Sequence, residues 1–245
     1  MPHWLWPVAV APFAGSFVGT LVTRATDGRS ALWGRSSCDA CRHALGAGDL
    51  VPVASWLASG RRCRHCGAAI SGFYPAIEIG ALLLAGWAAS VAGGIDLWLS
   101  CGLAWCLLAL AVTDLREGLL PDALTLPLAA AGLGIAALDG TDALAARAIG
   151  ALVGYGVLMA TRAIYRRLRR RDGLGLGDAK LLAAGGAWVA WQGLPSVLLL
   201  ACVATLGWAL LQGWWRGGMA LDGRIPFGPG LCLGIWLVWL YGPLS

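Results

Sequence analysis

The sequence predicts an all-α, polytopic membrane protein of about eight transmembrane helices, and three observations lead to this fold class. First, 58% of the 245 residues are hydrophobic and 13% are charged, whereas an ordinary soluble domain has about 25% charged residues. Second, the mean hydropathy is +0.71, an apolar excess that a soluble core cannot bury. Third, the chain contains fourteen tryptophans, whose rings favour the membrane–water interface. The alternative, a large soluble helical bundle, is disfavoured by the same composition.

The predicted spans are apolar segments close to the length that a bilayer requires. Hydrocarbon about 30 Å thick needs roughly 20 helical residues, or somewhat fewer in a compact bundle. Eight segments qualify: Trp4–Thr23, Phe73–Ala92, Leu97–Thr113, Ala123–Leu138, Ala143–Tyr165, Ala179–Trp191, Pro195–Trp215 and Phe227–Tyr241. The first has its positive charges after it rather than before it, so we interpret it as a span and not as a cleaved signal.

The basic residues predict the orientation of these spans. With the N-terminus outside, the inner segments are 24–72, 114–122, 166–178 and 216–226. Every one of the 18 basic residues except Arg147 lies in these segments or at their borders. Because positive charge accumulates on the cytoplasmic side, both termini are predicted outside. The net charge of +5 is therefore evidence about the orientation of the spans rather than about binding of an acidic ligand. No nucleic-acid partner is expected.

One cytoplasmic loop, residues 24–72, is long enough to form a small domain and contains two Cys-x-x-Cys pairs. Cys38 and Cys41 form the first pair, and Cys63 and Cys66 the second, with 21 residues between them. Two such pairs complete a tetrahedral thiolate site, and a metal supplies folding energy that so small a domain lacks. The sequence therefore predicts a structural zinc site without an open position for catalysis.

Other interpretations of the cysteines remain open. Structural disulfides or free thiols are the alternatives to zinc, although a cytoplasmic location disfavours disulfides. His43 and His65 lie next to the pairs and are expected to be solvated loop residues rather than ligands. The remaining four cysteines lie inside predicted spans and are expected to behave as small buried hydrophobes; they are Cys101, Cys106, Cys202 and Cys232.

Two aspartates are predicted at the same cytoplasmic face of the membrane. Asp114 ends the third predicted span in "TDLREGLLPD", and Asp178 begins the sixth in "GLGDAKLL". If the two spans adjoin, the carboxylates face each other, share a proton and act as an acid–base pair. The alternative is structural, with Asp178 as a helix N-cap and Asp114 as a solvated residue at a helix end.

Three further residues accompany these aspartates. Gly175 and Gly177 allow backbone conformations and close approaches that other residues prevent, and Lys180 is grouped with them as support for the Asp178 loop. Asp122 is expected to be a helix cap. Glu78, in "GFYPAIEIG", lies within the second predicted span and is a possible functional residue, or the partner of an arginine from the cysteine loop.

The motifs occur together in the order "RSSCDACRHALGAGDL…RRCRHC", "GFYPAIE", "TDLREGLLPD", "GLGDAKLLAAGGAW" and "IPFGPGLCLG". This combination resembles the prepilin peptidases, the type IV leader peptidase family of GxGD-type membrane aspartic proteases, over about Gly15 to Trp236. The resemblance implies cleavage of the basic leader from type IV prepilins or type II secretion pseudopilins on the cytoplasmic side of the bacterial inner membrane. It further implies N-methylation of the new N-terminal residue with S-adenosylmethionine.

The resemblance assigns roles to particular residues. Catalysis falls on Asp114 and Asp178, and the family's tetracysteine pattern falls on Cys38, Cys41, Cys63 and Cys66. The chain then divides into a first transmembrane helix (1–23), a zinc-binding loop domain (24–72) and a seven-helix peptidase domain (73–245). The arginines of 166–171 are expected to meet anionic lipid headgroups rather than a basic leader.

Two other functions compete with the bifunctional enzyme. The first is a peptidase without methylase activity, in which the zinc loop is a scaffold. The second is a non-catalytic transporter or assembly scaffold, in which the aspartates conduct protons or cap helices. Proton-relay carboxylates usually lie deep within spans, whereas Asp114 and Asp178 are terminal, and this position disfavours transport.

Overall fold

A computed structural model describes residues 4–26, 36–38, 40–170, 175–215 and 226–244. These residues are helical apart from loops and two isolated bridges, Ser37 with Ala44 and Arg62 with Ala69. The α-helices are α1 (Leu5–Thr26), α2 (Ala54–Ala58), α3 (Phe73–Val91), α4 (Gly94–Glu117), α5 (Asp122–Asp139), α6 (Thr141–Arg169), α7 (Leu176–Trp215) and α8 (Gly228–Tyr241). A short 3₁₀ helix, Ala47–Leu50, precedes α2.

Six of the described helices are long and apolar enough to cross a membrane: α1, α3, α4, α5, α6 and α7. The shorter apolar helix α8 has 14 residues. Large apolar side chains such as Leu83, Leu152 and Leu168 face outward on these helices. An outward apolar surface of this extent is what lipid contact requires. The all-α membrane fold class is therefore confirmed.

The eight predicted spans correspond to seven helices because α7 contains the sixth and seventh together. As one straight helix its 40 residues would measure about 60 Å, twice the hydrocarbon thickness. Ala190 interrupts it with φ 59° and ψ 179°, which are not helical angles. A non-glycine residue with positive φ is uncommon, so the interruption is a specific feature of this chain.

Contacts with α8 give the direction of the two parts of α7. In order along α7, the contact pairs are Gly185 with Ile235, Trp188 with Trp239, Val197 with Gly234 and Ala201 with Gly230. Along α7, the residue number of the contacted residue in α8 increases before Ala190 and decreases after it. The first part of α7 therefore runs parallel to α8 and the second part antiparallel to it.

The chain divides into two compact units, Met1–Ala109 and Leu110–Ser245, with the division inside α4. In the first unit, α1 and α3 pack closely where a Cβ at Gly15 would lie 2.6 Å from the Cα of Glu78. The indole nitrogen of Trp105 on α4 donates to the carbonyl oxygen of Ala81 on α3, at 3.3 Å. These contacts hold the helices from which the cysteine loop extends.

In the second unit, glycines bring α5 and α6 against the first part of α7. A Cβ at Gly150 would lie 2.5 Å from the carbonyl oxygen of Gly186, and one at Gly154 would lie 2.7 Å from that of Leu182. On the α5 side, the indole nitrogen of Trp188 donates to the carbonyl oxygen of Leu128 at 2.8 Å. These backbone-level contacts fix the beginning of α7, where Asp178 lies.

Candidate functional site

Asp114 lies in the last turn of α4 and is 7% exposed. Its Oδ2 accepts a hydrogen bond from the backbone N–H of Gly228, the first residue of α8, at 3.0 Å. A Cβ at position 228 would lie 2.5 Å from the same oxygen, so this approach requires glycine. The end of one helix and the start of another thus fix this carboxylate. Sequence reasoning did not single out Gly228, although its signal is the Gly-Pro-Gly of "IPFGPG" before an apolar helix.

Asp178 lies in the first turn of α7 and is half-buried. Its Oδ2 accepts a hydrogen bond from the backbone N–H of Gly175 at 3.2 Å. The helix begins at Leu176, two residues before Asp178, so Asp178 does not occupy the N-cap position. Asp178 is the third residue of the helix, position N3, and accepts a hydrogen bond from the N-cap amide, as the acidic residue of a capping box does. Asp178 therefore stabilises the helix start through one oxygen.

The structure brings the two aspartates together within the second unit. Their carboxylates are close enough to interact electrostatically. Among the described residues, the Oδ1 atoms of Asp114 and Asp178 have no hydrogen-bond partner. Each carboxylate thus has one oxygen held by an amide and one available to a water or a peptide group.

Residues next to Asp178 contact the end of the loop between α4 and α5 and the first residue of α5. Gly177 packs against Leu120, where an added Cβ would lie 2.9 Å from the Leu120 Cβ. Lys180 reaches both carboxylate oxygens of Asp122, at 2.6 and 2.7 Å. The expected helix-cap role of Asp122 is wrong, since Pro121 is the N-cap of α5 and Asp122 instead pairs with Lys180.

A small cavity of about 190 Å³ lies in the same unit and is lined by residues adjacent in sequence to Asp114 and Gly228. Leu115, which follows Asp114, and Pro229, which follows Gly228, are among its lining residues, together with Trp208 and Leu233. The cavity therefore places an apolar surface next to the residues that hold the Asp114 carboxylate.

The sulfur atoms of Cys38, Cys41, Cys63 and Cys66 form a cluster in the first unit and all lie within 4.8 Å of one another. Tetrahedral zinc, with Zn–S bonds of about 2.3 Å, places its sulfurs about 3.8 Å apart. A small contraction thus converts the cluster into such a site, and these four cysteines could hold a metal. The rings of His43 and His65 stack on each other with centroids 4.2 Å apart, and neither belongs to the cluster.

The two Cys-x-x-Cys pairs have matching backbone hydrogen bonds. Cys38 N–H donates to His43, and Cys63 N–H donates to Ala68, five residues on in each case. The amides of Cys66 and then of His65 lower the pKa of the Cys63 thiol to about 7. These amides favour the thiolate form that a metal binds. At Cys41 the amide of His43 also lowers the pKa, but burial and hydrogen bonds with the other three cysteines raise it to about 11.

Glu78 lies on α3 and is 6% exposed. Its Oε2 accepts a hydrogen bond from the backbone N–H of Val53, just before α2, at 2.7 Å. This backbone hydrogen bond is the described contact of Glu78 with the cysteine loop. Arg29 and Arg35, two of the arginines that could pair with Glu78, lie outside the described residues.

Comparison with known proteins matches the segments that contain the two aspartates and the four cysteines. The profile of the type IV leader peptidase family matches residues 101–210, and that of the bacterial peptidase A24 N-terminal domain matches residues 10–91. Relatives with the name prepilin leader peptidase/N-methyltransferase align over most of this chain, and three of them serve as examples. That of Burkholderia pseudomallei is 43% identical over 201 residues, which is 82% of this chain and 65% of the relative. Those of Aeromonas hydrophila and Pseudomonas aeruginosa are 41% and 38% identical, over 85% and 84% of this chain and 72% and 71% of the relatives.

The chain thus spans about two thirds of the length of the curated relatives that it matches, and 65% of the Burkholderia one. No solved structure matches the sequence significantly. Identity above 40% over 72% of a relative's length nonetheless shows common descent, and the aspartate-bearing and cysteine-bearing segments both lie within the matched ranges. The chain belongs to the type IV leader peptidase family.

Proposed function

We propose that the protein is a membrane aspartic endopeptidase that removes the leader from type IV prepilins or type II secretion pseudopilins. The observation that supports this best is the meeting of Asp114 and Asp178. Backbone amides of Gly228 and Gly175 hold one oxygen of each carboxylate, and the two charges interact. The names of the relatives, which include leader peptidase activity, agree with this chemistry.

The chemistry follows from two carboxylates that share one proton, since the second ionisation beside an existing charge is unfavourable. The ionised aspartate takes a proton from a water molecule, whose oxygen attacks the scissile carbonyl carbon. The protonated aspartate gives its proton to the carbonyl oxygen. The first carboxyl group then gives its proton to the amide nitrogen as the carbon–nitrogen bond breaks. The second aspartate takes a proton back from a hydroxyl of the tetrahedral intermediate, which leaves a neutral carboxylic acid and an amine. The Gly228 and Gly175 amides keep the carboxylates oriented while the proton moves.

The substrate is expected to dock from the lipid. A prepilin has a basic leader followed by an apolar helix, so its scissile bond lies at the membrane interface. The apolar cavity lined by Leu115 and Pro229 suits an apolar side chain next to that bond. The arginines of 166–171 are assigned to anionic lipid headgroups, each contributing on the order of 1 kcal/mol; Arg171, Arg216 and Arg224 lie outside the described residues.

The proposed topology has eight crossings in the bacterial inner membrane, with both termini outside and the aspartates at the cytoplasmic face. The reversal of α7 at Ala190 supports two crossings within this one helix. The proposed domains are the first helix (1–23), the cysteine loop (24–72) and the peptidase helices (73–245). Zinc, with a structural role, is the metal proposed for the four cysteines.

A second activity, N-methylation of the new N-terminus, is proposed because the relatives' names include N-methyltransferase. S-adenosylmethionine is the proposed donor and would supply an electrophilic methyl group when bound. The runner-up functions remain a peptidase without methylase activity and a non-catalytic transporter or scaffold.

Intact mass spectrometry of a purified prepilin tests these functions together. The prepilin is incubated in lipid with the wild-type protein or Asp178→Asn, with and without S-adenosylmethionine. We expect loss of the leader mass with wild type alone, followed by a gain of one methyl mass when the donor is present. Cleavage without the methyl mass would favour the peptidase-only function. No mass change with several prepilins would favour the non-catalytic scaffold.

A further inference from the structure

The short helix α2 and the residues just before it present apolar side chains outward. Leu50, Val51 and Leu57 are 41%, 44% and 58% exposed, and no residue of α2 is buried. A helix of five residues is not stable in water by itself, because it lacks the length that cooperative helix formation needs. Exposed apolar side chains on such an element indicate a surface that contacts lipid or another chain.

Two sets of contacts hold α2 against the start of α3. The backbone N–H of Val53 donates to Oε2 of Glu78, in the second turn of α3, at 2.7 Å. The Trp56 ring packs against the residue that precedes α3, since a Cβ at Gly72 would lie 4.0 Å from it. The indole nitrogen of Trp56 donates to the carbonyl oxygen of Ile70 at 3.2 Å. The helix α2 therefore lies beside the first turns of α3.

The length of α3 sets the depth of this contact in the bilayer. Its 19 residues measure about 28 Å, which is close to the hydrocarbon thickness of about 30 Å. Because the helix has no residues to spare, Phe73 has to lie at one hydrocarbon boundary. Ile79, which follows Glu78, is 44% exposed and so already faces lipid. Since α2 contacts both Gly72 and Glu78, it lies at the level of the lipid headgroups.

A cationic side chain borders the apolar surface. Arg61 follows α2 and is exposed, and its guanidinium carbon lies 4.8 Å from the centre of the Trp56 ring. Membrane proteins place indole rings among the headgroups and cationic side chains near the headgroup phosphates. An apolar face with a neighbouring cation is complementary to an anionic lipid surface.

We propose that Leu50, Val51 and Leu57 form a membrane-docking surface, which inserts among the headgroups beside α3, and that Arg61 contacts anionic lipid there. Lipid covers the apolar side chains of α2, and this segment holds the cysteine loop at the membrane together with α1 and α3. The apolar helix of a prepilin is the other partner to consider, but the depth of α2 brings lipid to the surface without any substrate. The inference does not depend on the peptidase or the methyltransferase activity.

Photocrosslinking of the full-length protein tests the docking surface. An amino acid with a diazirine side chain replaces Leu57, and the variant is placed in nanodiscs of phosphatidylcholine and phosphatidylglycerol in equal amounts. After illumination, mass spectrometry identifies the adducts. We expect lipid adducts both without and with prepilin, as from the same amino acid at position 83, where Leu83 is 68% exposed in the middle of α3.

The other outcomes overturn the proposal. Water adducts without lipid adducts at position 57 show that the surface lies outside the membrane. Prepilin adducts that replace the lipid adducts assign the surface to the substrate. If the variant at Leu57 does not fold, as judged by lost zinc, the diazirine is placed at Val51 and the result is interpreted in the same way. Cleavage by the same preparation tests the proposed function separately, because lipid adducts from an inactive protein support the surface and contradict the peptidase.

Arg61→Gln tests the charged part of the surface. The phosphatidylglycerol share of the lipid adducts at position 57 should exceed its share of the nanodisc by about twofold to fivefold, and Arg61→Gln should abolish this enrichment. Arg42→Gln is the matched control, because Arg42 is also exposed, also has a positive φ and lies beside the other Cys-x-x-Cys pair. It should leave the enrichment unchanged. Enrichment that persists in Arg61→Gln overturns the contact between Arg61 and anionic lipid.

Discussion

The aspartates of the second unit lie at the ends of long helices. The helix of Asp178, α7, packs backbone to backbone against α6, as at Gly150 and Gly186, and Asp114 accepts the amide of Gly228 at the start of α8. The cysteines of the first unit lie on a loop in which, of the described residues 36–72, Cys63 alone is buried. Backbone amides at helix starts hold Asp114 and Asp178. The loop has little apolar area of its own, so a metal is needed to hold it. Because the two sites are held by different interactions, we expect substitutions at the aspartates and at the cysteines to have different effects.

The largest expected effect is on the aspartate pair. Asp114→Asn and Asp178→Asn should each lower the rate of prepilin cleavage by about 10²–10⁴-fold or more, the usual contribution of general acid–base catalysis. Asparagine still accepts the amides of Gly228 and Gly175, so folding should be retained. Cleavage kinetics and thermal unfolding in detergent measure both effects.

Asp139→Asn is the control for this pair, because Asp139 ends α5 and pairs with Arg147 at 3.2 Å rather than with the site. It should cleave like wild type. A correctly folded Asp114→Asn or Asp178→Asn that retains cleavage would remove that residue from the catalytic mechanism.

The next effect concerns metal in the cysteine loop. The wild-type protein should contain about one zinc per chain, and Cys63→Ser should lose zinc and protein yield together. Cys202→Ser, at an exposed position on α7, should change neither quantity. Metal analysis of the purified proteins provides the measurement, and stoichiometric iron or a metal-free wild type would contradict the zinc assignment.

A smaller effect is expected from substitutions at the glycines that pack the helices of the second unit. Gly150→Ala places a Cβ 2.5 Å from the Gly186 carbonyl oxygen, so overpacking should lower the free energy of unfolding by about 1–3 kcal/mol. Gly156→Ala on the same helix meets nothing within 4 Å and should be neutral or stabilising. Thermal midpoints compare the two variants. Equal midpoints would show that this contact does not hold α6 against α7.

The smallest effect is expected from the ion pair that ties α7 to α5. Lys180 and Asp122 are 34% and 53% exposed, so solvent screens their attraction. Lys180→Met and Asp122→Asn should each slow cleavage about twofold to fivefold, equivalent to ~0.5–1 kcal/mol. The double variant should be no slower than either single variant. Additive losses in this cycle would mean that the two residues act separately.

Composition and local spacing determined much of this protein by themselves. The apolar excess determined an all-α membrane fold. Inside a bilayer the backbone N–H and C=O groups have no water to bind, and a helix is the simplest structure in which they hydrogen-bond to each other. The Cys-x-x-Cys spacing predicted the thiolate cluster, since two cysteines with two residues between them in a tight turn already converge. The aspartates were found because a carboxylate at the edge of an apolar helix is unusual.

The tertiary structure decided what depends on distant parts of the chain. It placed Gly228 against Asp114, which is 114 residues away, and paired Lys180 with Asp122 rather than leaving Asp122 as a cap. It reversed α7 at Ala190 within what the sequence shows as two adjoining apolar segments. It also enclosed Glu78 in a cavity with Trp56 and Tyr74. Local sequence cannot encode such contacts one by one, because they arise from the packing of whole helices.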